Sequence, residues 1–264
     1  MKRSDPVGPE FYVPLTSAES FSDAAFYLAA ALSVAVLFVD RAANLRAYDL
    51  VQGAFALSVI CHFLSGIVIK VYFSARAHAA RVADFVSNAF LVPLTATPSE
   101  GYYNTPSGDA FVRLGASVLE NALFTKRIVA RMLCFERWRI SLYLFVWISA
   151  VLYRATDLAI VAVAAQVLFS EQLLSRFVRM EWLRLRVEKV HDDLFRLFQG
   201  SADRESKEFR ARVIQAMVLY ETSKAQAAIS LSSRLFEKLN GELSRSWENT
   251  RTQLGLAGPT GGDP

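Results

Sequence analysis

The chain has 264 residues, of which 53% are hydrophobic and 20% charged, with a formal net charge of +4 and a mean hydropathy of +0.26. Soluble domains carry about 25% charged residues and fewer apolar ones, so this composition excludes a disordered chain, a collagen-like fibre and a disulfide scaffold. It indicates a membrane protein with soluble parts attached. The basic residues flank apolar segments and do not form a patch, so no direct DNA binding is expected.

Four apolar runs without charged residues predict membrane spans, at 24–39, 50–69, 140–153 and 158–170. At 1.5 Å per helical residue, only the 20-residue second run reaches the roughly 30 Å of the hydrocarbon core unaided. The third and fourth runs need residues at their ends, such as Trp138 and Arg139, to sit at the interface or to snorkel. Runs of this length also occur as buried helices of soluble proteins.

The distribution of lysine and arginine predicts the orientation of these spans. With both termini and the segment 70–139 inside, 26 of the 29 basic residues lie in the cytoplasm, and only Arg41, Arg46 and Arg154 lie outside. This asymmetry follows the positive-inside rule and predicts a multi-pass protein with cytoplasmic termini. The first run ends at Asp40 and Arg41 without a small-residue cleavage pattern, so we expect a retained helix and not a secretory signal.

Helical periodicity and turn residues predict an all-α chain of six consecutive parts. They are a proline-rich tail (1–22), a first transmembrane hairpin (23–73), a cytosolic helical insert (74–136), a second hairpin (137–177), a helical and coiled-coil region (178–240) and a flexible Gly/Pro-rich tail (241–264). Ser17 or Ser20 is expected to cap the first helix. Within the insert, we expect the second helix to continue to about Phe90. A loop over 91–109 and a new helix capped by Ser107 or Asp109 should follow.

An apolar seam predicts a coiled-coil stalk beyond the fourth span. It alternates steps of three and four residues through Leu173, Met180, Leu183, Val187, Val190, Leu194 and Leu197. Gly200 should stop this helix, and a second amphipathic helix should cover about 205–239. The predicted architecture is therefore a four-helix transmembrane bundle of two hairpins, with a cytosolic insert and a C-terminal stalk of long helices. We expect a homo-oligomer, and the seam either joins copies or packs within one chain.

Polar residues within the spans are candidates for lining a pore or gate. Ser58, His62 and Ser65 share one face of the second span, and Gln166 lies on a small, polar face of the fourth. Ionisable groups inside a membrane usually face a bundle interior or a water-filled path. The alternative is that small and polar residues let the helices pack closely and share hydrogen bonds.

The loop before the third span is a candidate ligand site. Tyr102 and Tyr103 can stack on a base, Asn104 can read a base edge, and Arg113 can meet phosphate charge, as in recognition of a nucleotide second messenger. The alternative is a structural turn whose tyrosines pack on neighbouring helices.

No enzyme activity, cofactor or metal site is expected from the sequence. Motifs for hydrolases, zinc proteases, P-loops and dinucleotide binding are absent. Cys61 and Cys134 cannot form a disulfide framework, and the three histidines are scattered. His191 stands beside the acidic pair Asp192 and Asp193. This pattern indicates a solvated helix face, and a metal site is the less favoured interpretation.

The layout of two membrane hairpins, a cytosolic segment between them and a long helical C-terminus resembles the four-transmembrane effectors of bacterial antiphage signalling, of which the SMODS-associated four-transmembrane family is the nearest. An arginine-rich, alanine-rich composition also favours a bacterial source. The resemblance implies an oligomeric inner-membrane effector that disrupts the bilayer when a nucleotide signal or a neighbouring-gene sensor protein binds. The alternative is a membrane scaffold that recruits a cytosolic partner through its stalk and forms no pore. A small transporter fits less well because broken helices and inverted repeats are missing.

Overall fold

The computed structural model describes residues 5–97, 99, 108–152, 158–168, 171–200 and 203–256. Helices hold 87% of these residues, and no β-strand occurs among them, as expected for an all-α chain. The described residues form eight α-helices, which we label α1 (Val13–Phe38), α2 (Leu45–Val68), α3 (Ala75–Phe90), α4 (Ala110–Leu152), α5 (Leu158–Leu168), α6 (Arg176–Gly200), α7 (Lys207–Ala227) and α8 (Ser233–Gln253). Three short π-helical segments precede α1, α3 and α6 and lie at Gly8–Tyr12, Ile69–Ser74 and Glu171–Ser175.

The chain divides into two compact units, each built from separated stretches of sequence. Unit 1 contains 1–11, 76–132 and 180–264, and unit 2 contains 12–75 and 133–179. Both apolar hairpins of the sequence therefore fall into unit 2. Most of the predicted cytosolic insert and the C-terminal helices belong to unit 1.

Unit 2 is apolar on its outside. Two of its helices are long and apolar enough to cross a membrane, within the continuous helical stretches Gly8–Phe38 and Leu45–Phe90. Only 22% and 6% of their most apolar windows are buried, whereas a core helix of a soluble protein would be mostly buried. α1 packs along α2, and the short connection between them is held by Asp40, whose carboxylate accepts from the amide of Ala42 at 2.8 Å, and by Asn44, which caps α2.

Unit 1 is a soluble-type helical bundle in which the first part of α4 contacts several other helices. Its Gly115 lies against Phe198 of α6 and Val213 of α7, because a Cβ atom built at this glycine would meet them at 3.0 and 3.1 Å. Further along, the hydroxyls of Thr125 and Tyr220 lie 2.9 Å apart in the core between α4 and α7. The missing side chain at Gly115 and the paired hydroxyls of Thr125 and Tyr220 let these helices approach closely.

Aromatic contacts attach α3 and α8 to the same part of α4. Phe111 meets Phe90 of α3 edge to face at 5.6 Å, and Phe124 meets Phe236 of α8 at 6.1 Å. The second half of α8 is anchored by Trp247, whose side chain is fully buried. Unit 1 therefore has a continuous hydrophobic core of its own.

Both chain termini differ from their predictions. The expected tail over 1–22 is helical from Gly8 onward, because prolines fit the first turn of a helix, where their missing amide costs nothing. Ser17 and Ser20 are therefore not caps, and they donate to Val13 and Thr16 within α1. The prediction of a flexible tail over 241–264 is wrong for its described part, which ends at residue 256, because α8 continues to Gln253.

The helix expected over 205–239 is two helices. α7 ends at Ala227, and the next residue, Ala228, caps it: Ala228 adopts a left-handed conformation with φ 47° and donates its amide to the carbonyl of Lys224. α8 then begins behind Ser232, whose hydroxyl accepts from the amide of Leu235. In contrast, the predicted continuation of the second helix to Phe90, the cap at Asp109 and the stop at Gly200 are confirmed.

The predicted stalk seam is buried within the single chain. Met180, Leu183, Val187, Val190 and Leu194 are each 1% exposed or less. The last turn uses Phe198 in place of the expected Leu197, since a straight α-helix with 3.6 residues per turn drifts away from a 3.5-residue repeat. The expected coiled-coil stalk is therefore a core helix of unit 1, and its seam offers no surface to a second copy.

Candidate functional site

The one histidine of the candidate pore face contacts the neighbouring helix. Nδ1 of His62 lies 3.1 Å from the hydroxyl oxygen and 3.2 Å from the carbonyl oxygen of Ser22 on α1. The ring of Phe26 covers it at 5.6 Å, and Ser22 is buried. The imidazole thus joins α1 to α2 by a polar contact.

The two serines of the same face bond within their own helix. The hydroxyl of Ser58 donates to the carbonyl of Ala54 at 2.8 Å, and that of Ser65 to the carbonyl of His62 at 2.9 Å. Such back-bonding satisfies a hydroxyl where no water is present. The fourth predicted residue, Gln166, lies on α5, and its side chain is outside the described residues.

The candidate ligand loop is described only at its edges. Tyr102, Tyr103 and Asn104 lie outside the described residues. Arg113 lies in the first turn of α4, where its Nε donates to the carbonyl of Ala89 at 2.9 Å and its Nη1 to the carbonyl of Gly108. Its guanidinium thus ties together the backbone on both sides of the loop, a structural role that the sequence did not suggest.

A buried polar network anchors the start of this loop. Asp84 is 1% exposed and accepts from the amide and hydroxyl of Ser99 at 2.9 and 2.7 Å. Arg81 lies 3.8 Å from Asp84 and forms a two-point ion pair with Asp5 at 3.0 and 2.9 Å. Sequence reasoning missed this network, because its members are far apart in the chain.

An ion-pair cluster lies inside the apolar unit. Glu136 has a side chain that is 7% exposed, and it pairs with Arg139 at 2.6 Å and with Arg176 at 3.9 Å. Arg176 also lies 3.6 Å from Asp23, and Arg139 donates to the hydroxyl of Tyr27 at 3.0 Å. We call these five residues the ionic cluster; it connects α1, α4 and α6 within unit 2.

The ionic cluster was not predicted, although its members mark the ends of the apolar runs. Asp23 directly precedes the first run, Arg139 directly precedes the third, and Arg176 follows the fourth. The sequence assigns the two arginines to the cytoplasmic flank. Only the packing of the helices brings them to acidic partners.

A groove of about 630 Å³ runs between α6 and α7 in unit 1. Its apolar floor includes Leu194, and its rims carry the ion pairs Lys189–Asp193 at 3.2 Å and Glu208–Arg212 at 2.9 Å. Arg196 also lines the groove, so its charged lining residues are three basic and two acidic.

Among the described residues, no group of three or more histidine, cysteine, aspartate or glutamate side chains is placed to hold a metal ion. Comparison with known protein families, curated proteins and solved structures finds no match for this chain.

Proposed function

We propose that the chain is a four-span inner-membrane protein that acts as a non-enzymatic, oligomeric effector and perturbs the bilayer when a cytosolic signal reaches unit 1. The signal is a nucleotide second messenger or a sensor protein encoded nearby. The observation that carries the proposal is the ionic cluster around the buried Glu136, because a buried carboxylate paired with arginines in an apolar helical unit usually specifies one arrangement of the helices or serves function.

Helix length and exposed apolar side chains support the first three spans. α1 and α2 have 26 and 24 residues, which correspond to about 39 and 36 Å of helix. The second half of α4 exposes Leu142, Phe145 and Leu152 by 51%, 69% and 76%. Contiguous apolar surface of this kind is unusual in water and expected in lipid.

The position of the ionic cluster agrees with the same topology. With both termini inside, the start of the first span, the start of the third and the end of the fourth all lie at the cytoplasmic side of the membrane. Asp23, Glu136 and Arg176 stand at these three ends and contact one another through the cluster. A single membrane level therefore accounts for both contacts.

The cluster supports a gated function because it provides two alternative states. While it is closed, each charge has a partner and the helices are held together. Separation of the helices exposes the charges to headgroups and water, which removes the penalty of leaving them unpaired. Removing one partner of a buried ion pair while the other stays buried costs up to about 3–5 kcal/mol. A destabilisation of the closed state by this amount is enough to convert a mostly closed population into a mostly open one.

The stalk-based scaffold has less support, since its recruiting seam is buried in unit 1. Oligomer formation then requires another surface, and the exposed apolar side of unit 2 is our candidate.

The test expresses Glu136→Gln in bacteria and measures the membrane potential with a potential-sensitive dye. The dye response is divided by the amount of inserted protein. We expect stronger depolarisation than with the wild type, because Arg139 and Arg176 lose their shared carboxylate. Glu208→Gln is the matched control, since it removes a carboxylate that is 75% exposed. A response equal to wild type, at equal inserted protein, would contradict a gating role for the cluster.

A further inference from the structure

His191 on α6 has two neighbours at one ring nitrogen. Its Nδ1 lies 2.9 Å from Nζ of Lys126 on α4 and 2.9 Å from Oδ1 of Asp192. The imidazole is 13% exposed and stacks on Phe195, with ring planes 9° apart. The ring is therefore held in place with both partners within hydrogen-bond distance.

These two hydrogen bonds exclude each other. An ammonium group only donates and a carboxylate only accepts, whereas one imidazole nitrogen either carries a proton and donates or lacks one and accepts. Nδ1 must therefore be unprotonated to bind Lys126 and protonated to bind Asp192.

We propose that His191 is a proton-operated switch that moves its Nδ1 hydrogen bond from Lys126 on α4 to Asp192 on its own helix. In the neutral state, the ring proton resides on Nε2, and Nδ1 accepts from the Lys126 ammonium, which joins α4 to α6. When the ring takes up a second proton from solvent, Nδ1–H donates to Asp192. Lys126 then loses its acceptor and faces a second cation.

Four charged groups surround this switch. Lys126 and Arg127 come from α4, and Glu188 and Asp192 come from α6. Burial lowers the pKa of His191, the hydrogen bond to Asp192 opposes this shift, and the cations at Lys126 and Arg127 add to it. The neutral, interhelical state is thus the resting one near neutral pH, and acidification releases the α4–α6 contact.

The switch is independent of the ionic cluster and gives unit 1 a response to cytosolic acidification. Its members belong to unit 1, and its operation requires only a proton. Because the neutral state links two helices and the charged state links neighbouring residues of one helix, the change loosens the packing of unit 1 without breaking a covalent bond.

The test is ¹⁵N-histidine NMR of the purified full-length chain in detergent micelles, with the His191 signal assigned from His191→Gln. At pH 8 we expect the Nε2–H tautomer of His191, and its titration midpoint should lie below that of free histidine. Lys126→Met should raise this midpoint by about half a pH unit or more, and Asp192→Asn should lower it.

Arg127→Gln is the matched control, because it removes a nearby cation that does not bond to Nδ1; its shift should be smaller than that of Lys126→Met. Circular dichroism of each variant checks that the helices persist, and Lys126→Gln replaces Lys126→Met if they do not. An Nδ1–H tautomer in the neutral state, or a midpoint that Lys126→Met and Lys126→Gln leave unchanged, would overturn the switch.

Discussion

Nδ1 of His62 lies 3.1 Å from the hydroxyl oxygen of Ser22, forty residues earlier in the chain. This contact bears on the choice between a pore face and a packing face on α2, because an imidazole that bonds a neighbouring helix serves packing. Hydrogen bonds between apolar helices in membranes contribute about 0.6 kcal/mol on average and up to about 1.7 kcal/mol.

We expect His62→Ala and Ser22→Ala to show a coupling energy in this range in a double-mutant cycle of unfolding in detergent. Ser65→Ala should be nearly neutral, since its hydroxyl bonds only within α2. In cells, His62→Leu should lower the amount of inserted protein while the depolarisation per inserted molecule stays unchanged. A coupling energy of zero between His62 and Ser22, together with a loss of depolarisation per inserted molecule in His62→Leu, would favour the pore-lining interpretation of His62.

Cysteine labelling tests the four-span topology. In a chain whose Cys61 and Cys134 have been replaced, an impermeant maleimide should label Ala43→Cys from outside the cell. Asn104→Cys and Arg245→Cys should react only after the membrane is opened, because the positive-inside rule puts both in the cytoplasm. External labelling of position 104 would exclude the topology.

Two glycines in helices of unit 1 should respond oppositely to alanine. At Gly115 a new Cβ meets the buried side chains of Phe198 and Val213 at 3.0 and 3.1 Å, so these neighbours must shift by a few tenths of an ångström to admit it. At Gly241 nothing lies within 4 Å of the new atom, and alanine gains about 0.5–1 kcal/mol of helix preference. We expect the two variants to differ by about 1–3 kcal/mol, the usual cost of overpacking, measured by chemical denaturation. Equal stabilities would show that α4 and α6 can separate at Gly115 without cost.

The stability of unit 1 should fall in mild acid through His78. Burial lowers the pKa of this histidine, and Glu221 at 3.7 Å only partly opposes the shift. The unfolded chain takes up the proton at about pH 6.5, before the folded chain does, so the free energy of unfolding decreases below that pH and is unaffected above it.

Thermal melts between pH 8 and pH 5.5 measure this effect. The melting temperature should be constant above pH 7 and fall below about pH 6.5, and His78→Gln should make the fall shallower. A melting temperature that rises on acidification would show that the pair with Glu221 outweighs burial.

The features that sequence predicted correctly depend on neighbours in the chain. Phe90, Asp109 and Gly200 mark helix ends through local turn and cap chemistry, and the spacing from Met180 to Leu194 marks a buried helix face. The break at Ala228 was missed because no glycine or proline stands there to indicate a helix end. A non-glycine residue in the left-handed region is held there by its surroundings, which the local sequence does not show.

The candidate site was harder to predict, because its contacts join distant residues. Asp23 and Arg176 meet within unit 2, and Arg81 meets Asp5, although neither pair is linked by a helical spacing. The distribution of lysine and arginine predicted that Arg139 and Arg176 lie at the membrane edge, but it could not identify their acidic partners. Likewise, the periodicity of α6 could not show that its apolar face is covered within the same chain.

The discontinuous make-up of unit 1 has a consequence for biosynthesis. Thr125 and Tyr220 pair across 95 residues, and Trp247 of the same core is translated after every apolar helix of unit 2. The apolar helices therefore leave the ribosome while α3 and the first part of α4 still lack their C-terminal partners. During that interval Gly115 and Thr125 lack Phe198, Val213 and Tyr220, their neighbours in the folded unit, so early segments of unit 1 depend on chaperones or on rapid completion of the chain.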